Sequence, residues 1–421
     1  MARILVCADG FFRAFSPISL EPYIEMFING LVDNGNEVMP YISHDIYKKN
    51  KKIKNWIRSF MAYEDVKSFD PEIIFSFNNT IDERFLKKFD CKCYIIASDT
   101  PIFWNNRDLI LKYNNKYSIL YFNDDFKQEL KDEYKIEYKR QYLIPYTTDM
   151  KSVNIEQNKD ICFIGNFNLP KWHIISYNLL KEDNNLREKN TILKKILIYY
   201  EKKGHLNREL FDEFLKYYND KNLQKKDLES LLCIAFTNKI RNSFLNSLLD
   251  LDLNIYTHKS NLECFNHNYK IFNKCYFEKI DNLANSEKIY NESKISLNLP
   301  HFQVKTGLSW RVCDILATNS MLLTNPTNDL KSLFGNIIPT YQNEKDLRKK
   351  VLYYLKHEDE RKDIVQKSQL IIEKKHRYKH LFSRLEEITE MKFIDLKQKG
   401  RLVNVKRTQK IQNLYYKKIS N

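Results

Sequence analysis

The chain has 421 residues, a length that suits two or three domains of ordinary size. Hydrophobic residues make up 43% and aromatic residues 14%, which excludes a mainly disordered chain. No apolar run approaches the roughly 18 residues needed to cross a bilayer. Asp9 interrupts the first apolar stretch before a signal-peptide core can form, so the sequence predicts a cytoplasmic protein.

The formal net charge of +15 is unevenly distributed. Residues 392–421 contain nine Lys or Arg and one acid, so this segment alone carries +8. Eight cysteines are scattered without a CxxC pair, which favours reduced thiols in apolar cores. The sequence has no Walker loop and no nucleic-acid-binding module, so we predict no specific nucleic-acid partner.

The first 145 residues alternate between strand and helix patterns. A buried strand, ARILVCA, is followed by the amphipathic helix PYIEMFINGLVDNG, which ends at Gly35. Further β-rich apolar segments are EVMPYI, PEIIFSF, CKCYIIA, YSILYF and KRQYLIP. Strands separated by helices indicate a parallel sheet covered on both faces, so residues 1–145 are predicted to form a Rossmann-like domain.

A polar stretch at 146–159 is predicted to be a linker to a second α/β domain, residues 160–385. Residues 171–250 are helical in pattern throughout and are predicted to be an insertion after the first strand of that domain. The strands resume in LNIYTHK, CYFEKI, KISLNLP, SMLLTN and NIIPTY. The fold class is therefore α/β, with two tandem doubly wound domains and a helical, basic tail at 386–421.

The segment 294–325 has the clearest candidate site. A strand ends at Pro300, and a loop with Lys305, Thr306 and Gly307 leads to a helix expected to begin near Leu308 or Ser309. Backbone N–H groups at that helix start, with Lys305, suit a diphosphate, and Asp314 could accept two ribose hydroxyls. The alternative is an ordinary loop and helix in which Arg311 and Asp314 form a surface ion pair.

Other candidates follow strands of the second domain. Gly165 could let the backbone approach a ligand, or could simply end a strand; Asn166 and Lys171 are weaker candidates for phosphate contact. Thr257 and His258 follow the next strand, at the height where a base or diphosphate would lie, although such a histidine is often structural.

Two acids of the first domain are candidate general bases. Asp99 ends a buried strand and is followed by Thr100–Pro101, while Asp9 follows the first strand. Each could instead be a turn former or a helix cap. The DxD of Asp250 and Asp252 lies where a helix gives way to a strand, so we expect no metal site there.

The order of several short segments resembles the CgeB-like group of bacterial family-1-type glycosyltransferases. In the second half the matching residues are Leu297–Asn298, Arg311–Asp314, Asp329–Leu330, Leu333–Phe334, Tyr353–Leu355, His357, Arg361, His376, Tyr378 and His380. In the first half they are PEIIFSF at 71–77, SDTP at 98–101, IPYTTD at 144–149 and FIGNF at 163–167. The chain departs from the group at Asp314, usually Glu, and at Asn319, usually Gly.

The resemblance implies the two-domain GT-B fold, with a nucleotide-sugar donor on the second domain and the acceptor on the first. The expected activity is metal-independent transfer of a sugar to a glycan, lipid-linked or protein acceptor in bacterial surface glycan synthesis, without a cofactor. The alternative is a non-catalytic binding or assembly protein on the same fold. The basic tail could bind an anionic membrane surface, or its helix could return to pack on the first domain.

Overall fold

Two parallel β-sheets organise the chain. The structure is a computed structural model that describes residues 1–9, 11–13, 16–19, 21–43, 63–166, 225–257, 269–277 and 283–403. The strands, in chain order, are β1 Arg3–Asp9, β2 Phe11–Arg13, β3 Ser16–Ser19, β4 Glu37–Ser43, β5 Ile73–Phe77, β6 Cys93–Ile96, β7 Tyr117–Tyr121, β8 Gln141–Leu143, β9 Lys159–Ile164, β10 Leu253–Tyr256, β11 Cys275–Tyr276, β12 Ser293–Asn298, β13 Met321–Thr324 and β14 Arg401–Leu402.

Helices connect most of these strands. They are α1 Pro22–Asp33, α2 Tyr63–Phe69, α3 Glu83–Lys88, α4 Arg107–Lys112, α5 Lys127–Asp132, α6 Lys225–Asn246, α7 Tyr269–Phe272, α8 Leu283–Asn291, α9 Arg311–Leu316, α10 Asn328–Phe334, α11 Glu344–Lys356, α12 Glu358–Lys375 and α13 Tyr378–Thr389. Short 3-10 turns lie at Pro101–Phe103, Asn114–Lys116 and Tyr138–Arg140.

The first sheet has the order β14-β4-β1-β5-β6-β7-β8, and all its strands are parallel. Its strands are apolar on both faces because helices cover both sides. In β1, for example, Ile4 and Val6 face one core cluster, whereas Leu5 and Cys7 face another. The strands β2 and β3 form a separate antiparallel pair.

The second sheet has the order β11-β10-β9-β12-β13, also parallel throughout. The order changes direction between β9 and β12, because β10 and β11 extend to one side of β9 while β12 and β13 extend to the other. Neighbouring connections diverge at such a point and leave a crevice beyond the carboxyl ends of the two strands. The two tandem α/β domains predicted from the sequence are thus confirmed.

The C-terminal residues return to the first domain. The pattern of 359–390 predicts one long helix, but the structure has two, α12 and α13, separated at His376 and Arg377. Phe382 in α13 packs against Phe27 of α1, with ring centroids 6.0 Å apart. The break at residues 376–377 therefore redirects the chain across the domain boundary.

The strand β14 continues this return and becomes the edge of the first sheet. Leu402 pairs with Val38 of β4, and Phe393 packs on Phe75 with ring centroids 5.9 Å apart. Backbone approach is very close here, since a Cβ on Gly400 would lie 2.0 Å from the Val32 carbonyl oxygen. The predicted boundaries need correction, because residues 378–403 pack on the first domain rather than on the second or outside both cores.

Two other expectations differ from the structure. The segment NIIPTY forms an isolated bridge between Thr324 and Thr340 rather than a strand. Most of the predicted insertion, 171–224, lies outside the described residues, while α6 occupies its last part. Among the helices that the structure describes, none is long and apolar enough to cross a bilayer.

Candidate functional site

The crevice at the change of strand order is the strongest candidate site. Strands β9 and β12 are adjacent, with Cys162 paired to Ser296, and they end at Ile164 and Asn298. The helix α6 lies beside the loops that follow both strands, and it also contacts the turn Pro101–Phe103 of the first domain. The crevice therefore opens toward the boundary between the two domains.

Arg241 bridges the two loops that follow these strands. It lies on α6, is only 3% exposed, and its Nε donates to the Leu299 carbonyl at 2.9 Å. The same guanidinium donates to the carbonyl of Asn166. Arg241 thereby ties the end of β9 to the end of β12, and it places a positive charge in the crevice.

Arg311, the first residue of α9, lies close to Arg241. The guanidinium carbons lie 5.7 Å (Arg241) and 6.0 Å (Arg311) from the centroid of the Phe163 ring. Burial, and then the charge of Arg311, hold the pKa of Arg241 well below its usual range. Nη1 of Arg311 is buried without a hydrogen-bond partner among the residues that the structure describes.

Among the described residues, the two arginines share no carboxylate partner. Within the described ranges, no ion pair of 4 Å or less involves Arg241 or Arg311. A buried cation, Arg241, beside a second, partly buried one, Arg311, is costly unless an anion neutralises them. This part of the crevice is therefore suited to a ligand with two negative charges, such as a diphosphate.

Asp314 is buried one turn along α9 from Arg311. It is 6% exposed, and its Oδ1 has no hydrogen-bond partner in the described part of the chain. Burial raises the pKa of Asp314 to about 7, and a hydrogen bond with Thr148 opposes this effect. The alternative of a surface ion pair with Arg311 is therefore wrong, since Asp314 is buried and points toward the chain between the domains.

The loop 301–308 is arranged differently from the expectation. The helix α9 begins at Arg311 rather than near Leu308 or Ser309. The backbone N–H of Thr306 donates to Asp125 at 3.0 Å, and that of Leu308 donates to the Tyr146 hydroxyl at 2.9 Å. Two N–H groups expected to face a diphosphate thus bond instead to the first domain and to the linker that follows it.

The neighbours of those residues complete this docking. Gly307 is buried, and a Cβ on it would lie 2.3 Å from Nδ2 of Asn123. Lys305 is exposed at the surface of the loop. The sequence predicted that the N–H groups of Thr306 and Leu308 are available to a ligand. Their hydrogen-bond partners, Asp125 and Tyr146, could not be recognised because they are distant in sequence.

Asp99 lies on the opposite side of the domain boundary and is held by both domains. Its Oδ2 accepts from Asn78 Nδ2 at 2.7 Å, and its Oδ1 accepts from Gln303 Nε2 at 2.6 Å. The aromatic rings of Phe103 and His301 meet edge to face beside it, 5.4 Å apart. Asp9, the rival candidate, is the last residue of β1, and its side chain lies outside the described residues.

The remaining predicted residues divide into three groups. Gly165 is buried, and a Cβ on it would lie 2.4 Å from the Phe163 ring, so close packing rather than a turn requires the glycine. Thr257 is buried, and its N–H donates to the Tyr276 carbonyl at 3.1 Å. Asn166 is exposed, and its backbone carbonyl accepts a hydrogen bond from Arg241. Lys171 and His258 lie outside the described residues.

The DxD pair occupies the opposite edge of the second sheet. Asp250 pairs with Arg348 through two contacts of 2.6 and 2.7 Å, and Asp252 accepts from the N–H of Asp160 at 2.9 Å. Both acids come just before β10, so they lie at the amino ends of the strands, away from the crevice. Through these contacts, Asp250 and Asp252 connect neighbouring structural elements.

Sequence reasoning missed Arg241 because the insertion was interpreted as core and solvated surface. The helical spacing of Arg241 from apolar and small residues of the same segment could have identified it. Arg241 falls at i+4 from Thr237 and three residues before Phe244, both of which are buried. A charged residue in the middle of the buried face of a helix is uncommon and marks a paired or functional group.

Comparison with known families agrees with this geometry. Residues 241–387 match a family model described as "Glycosyl transferase-like", and the match includes Arg241, Arg311 and Asp314. Residues 241–387 are therefore similar to glycosyl transferases. The family-1-type resemblance predicted from the sequence is thus confirmed for the second domain. A comparison with curated proteins found no match.

Solved structures extend the similarity to the fold of the whole chain. A glycosyltransferase from Rickettsia africae superposes with a TM-score of 0.51 at 12% identity, covering 92% of this chain and 97% of that one. Sucrose-phosphate synthase from Thermosynechococcus elongatus gives 0.54 at 8% identity, covering 92% and 98%. HepE from Anabaena in complex with UDP gives 0.50 at 8% identity, covering 92% and 99%. The second domain is therefore one half of a GT-B fold.

Proposed function

We propose that this chain is a nucleotide-sugar-dependent glycosyltransferase that binds its donor in the crevice of the second domain. The observation that carries the proposal is the pair of arginines formed by buried Arg241 and partly buried Arg311, which lie beside the same ring without a carboxylate partner in the described residues. Their position within the segment that matches the family model supports the same function. The HepE structures contain UDP, which makes UDP compounds the first donors to test.

The roles of the donor-site residues follow from their chemistry. Arg241 and Arg311 supply N–H donors and positive charge to the diphosphate, since guanidinium groups bind phosphate oxygens in two-point fashion. Asp314, with Oδ1 unpartnered, accepts hydrogen bonds from ribose hydroxyls. Gly165 keeps the Phe163 ring under the arginines. The docked loop 301–308, with Lys305 exposed, closes the site on the side of the first domain.

The acceptor is proposed to bind against the first domain beside Asp99. In the transfer step, an acceptor hydroxyl oxygen forms a bond to the anomeric carbon of the sugar. The bond from that carbon to the phosphate oxygen breaks, and the nucleoside diphosphate leaves with the electron pair. Asp99 takes the hydroxyl proton as general base, and Arg241 and Arg311 stabilise the negative charge on the leaving group.

Ligand binding by the full chain tests the proposal. We expect UDP or another nucleoside diphosphate to raise the unfolding temperature and Arg311→Ala to weaken its binding by about 10–100-fold, because a hydrogen bond to a charged group is lost. Arg348→Ala is the matched control, since Arg348 pairs with Asp250 at the far edge of the sheet. Equal affinity of the two variants, or no nucleotide binding by the natural protein, would contradict the proposal.

Turnover distinguishes an enzyme from a binding protein on the same fold. A glycosyltransferase slowly hydrolyses its donor with water as acceptor, whereas a non-catalytic assembly protein binds the donor without releasing nucleoside diphosphate. We further propose metal-independent transfer without a cofactor, so EDTA should leave donor hydrolysis unchanged. Loss of hydrolysis in EDTA with recovery on adding Mg²⁺ or Mn²⁺ would overturn this part.

The proposed pathway is bacterial surface glycan synthesis in the cytoplasm, with a glycan, lipid-linked or protein acceptor. The basic tail could hold the protein at a membrane that carries a lipid-linked acceptor. Residues 404–421 follow the docked strand β14 and include Lys406, Arg407 and Lys410. Each basic residue near an anionic leaflet contributes about 1 kcal/mol of binding. We expect the full chain, but not a 1–403 variant, to float with anionic liposomes at low salt; absence of binding by both would contradict membrane attachment.

A further inference from the structure

A buried amide lies on α6, three residues before Arg241. Asn238 is 5% exposed, and neither its Oδ1 nor its Nδ2 has a hydrogen-bond partner in the part of the chain that the structure describes. A buried amide without hydrogen bonds costs about 1–3 kcal/mol, so such a group calls for a specific partner such as a ligand or a water molecule. Asn238 is not used by the roles assigned above.

The position of Asn238 relates it to the crevice. Residues three apart on a helix share a face, so Asn238 lies one turn from Arg241 on the buried side of α6. Its neighbour Thr237 accepts from the backbone N–H of Phe302 at 2.9 Å. Asn238 is therefore at the height of the loop that follows β12, because Thr237 and Arg241, on either side of it in the sequence, both bond to this loop.

The loop beside this part of α6 also contacts the first domain. Phe302 is followed by Gln303, whose amide donates to Asp99 at 2.6 Å. The same helix α6 contacts the turn Pro101–Phe103. A sugar that links a diphosphate at Arg241 and Arg311 to an acceptor at Asp99 must cross this space.

The chemistry of an amide selects among the parts of a donor. Phosphate oxygens can only accept hydrogen bonds, so they would leave Oδ1 of Asn238 unsatisfied. A sugar hydroxyl both donates and accepts, and it can satisfy Oδ1 and Nδ2 together. We propose that Asn238 binds hydroxyl groups of the transferred sugar and contributes to the choice of donor sugar. This inference rests on the proposed function.

The test compares nucleotides with and without the sugar. Dissociation constants of UDP, UDP-glucose, UDP-N-acetylglucosamine, GDP and GDP-mannose are measured by calorimetry for the full chain and for Asn238→Ala. We expect the variant to bind the preferred nucleotide-sugar about tenfold more weakly, while binding the matching free nucleotide within twofold. The matched control is Asn242→Ala, since Asn242 Nδ2 donates only to the Asn238 carbonyl of its own helix, at 3.0 Å.

A second variant protects the test against misfolding. Asn238→Leu keeps the branched shape of the side chain, with larger end groups, and removes its buried polar atoms, so it should retain or raise the unfolding temperature of the free protein. It should lose sugar-dependent affinity as Asn238→Ala does. Circular dichroism spectra establish that both variants fold.

The outcomes separate this inference from the proposed function. If both variants weaken the binding of free nucleotide and of nucleotide-sugar equally, Asn238 contacts the base or the phosphate. The sugar assignment is then overturned while the proposed function stands. If neither variant changes any dissociation constant, the inference also fails alone. If the natural protein binds none of the five compounds, the proposed function fails and the inference fails with it.

Discussion

Replacing Asp314 with asparagine should remove most of a pH dependence of stability that the structure builds into α9. The ordinary pKa of an aspartate is 3.8, and burial raises that of Asp314 to about 7. Because the folded state holds this proton more tightly than the unfolded state, the free energy of unfolding falls as pH rises from about 4 to about 7. The difference of about 3 pH units corresponds to about 4 kcal/mol for this one group.

Asparagine has nearly the same shape and carries no charge, and its side-chain carbonyl oxygen can accept a hydrogen bond from Thr148 as the carboxylate does. Asp314→Asn should therefore match the natural protein near pH 4 and exceed its stability by up to about 4 kcal/mol near pH 8. The assay is urea unfolding followed by fluorescence at half-unit intervals between pH 4 and pH 8. Asp363→Asn, an exposed change on α12, is the control. Parallel pH curves for the natural protein and Asp314→Asn would refute the reasoning.

Three further substitutions examine other parts of the molecule. Asp99→Asn should lower turnover by about a hundredfold and leave the dissociation constant of the donor unchanged, because only the proton acceptor is lost; unchanged turnover would remove Asp99 as the base. Gly400→Ala should lower the free energy of unfolding by about 1–3 kcal/mol and expose residues 392–403 to protease, since the added Cβ would lie 2.0 Å from the Val32 carbonyl oxygen; an unchanged cleavage pattern would argue against the close fit. Trp310→Ala should cost about 3 kcal/mol in urea unfolding, because the ring stacks 4.6 Å from Tyr23 and packs 4.4 Å from Phe122, and Trp310→Phe should recover part of that loss.

The parts of the fold that could be predicted from the sequence are those that depend on the pattern of neighbouring residues. Ile73–Phe77 is buried along its whole length, and a short apolar run bounded by polar residues identifies such a strand without further information. Asp99 was selected because an acid after a buried strand falls at the carboxyl edge of a parallel sheet. Gly165 was selected for the same reason, although a ring rather than a ligand requires it in the structure.

The parts that could not be predicted depend on residues far apart in the chain. Asp125 accepts from Thr306, 181 positions away, and nothing around Thr306 indicates such a partner. The helical period of 358–389 continues across His376, whose side chain is held by the Tyr146 carbonyl at 2.8 Å. Tertiary contacts decide both features, so the docked loop and the broken helix appear only in three dimensions.

The return of the chain to its first domain has a consequence for biosynthesis. Until residue 402 has left the ribosome, β4 is an edge strand whose N–H and C=O groups on one side lack the pairing with β14. Such edges favour pairing with other chains. The first domain is thus translated first but completed last, and nascent or truncated chains ending near residue 385 should aggregate through β4. A molecule made in two halves would regain the missing edge only if residues 378–403 were attached to the N-terminal half.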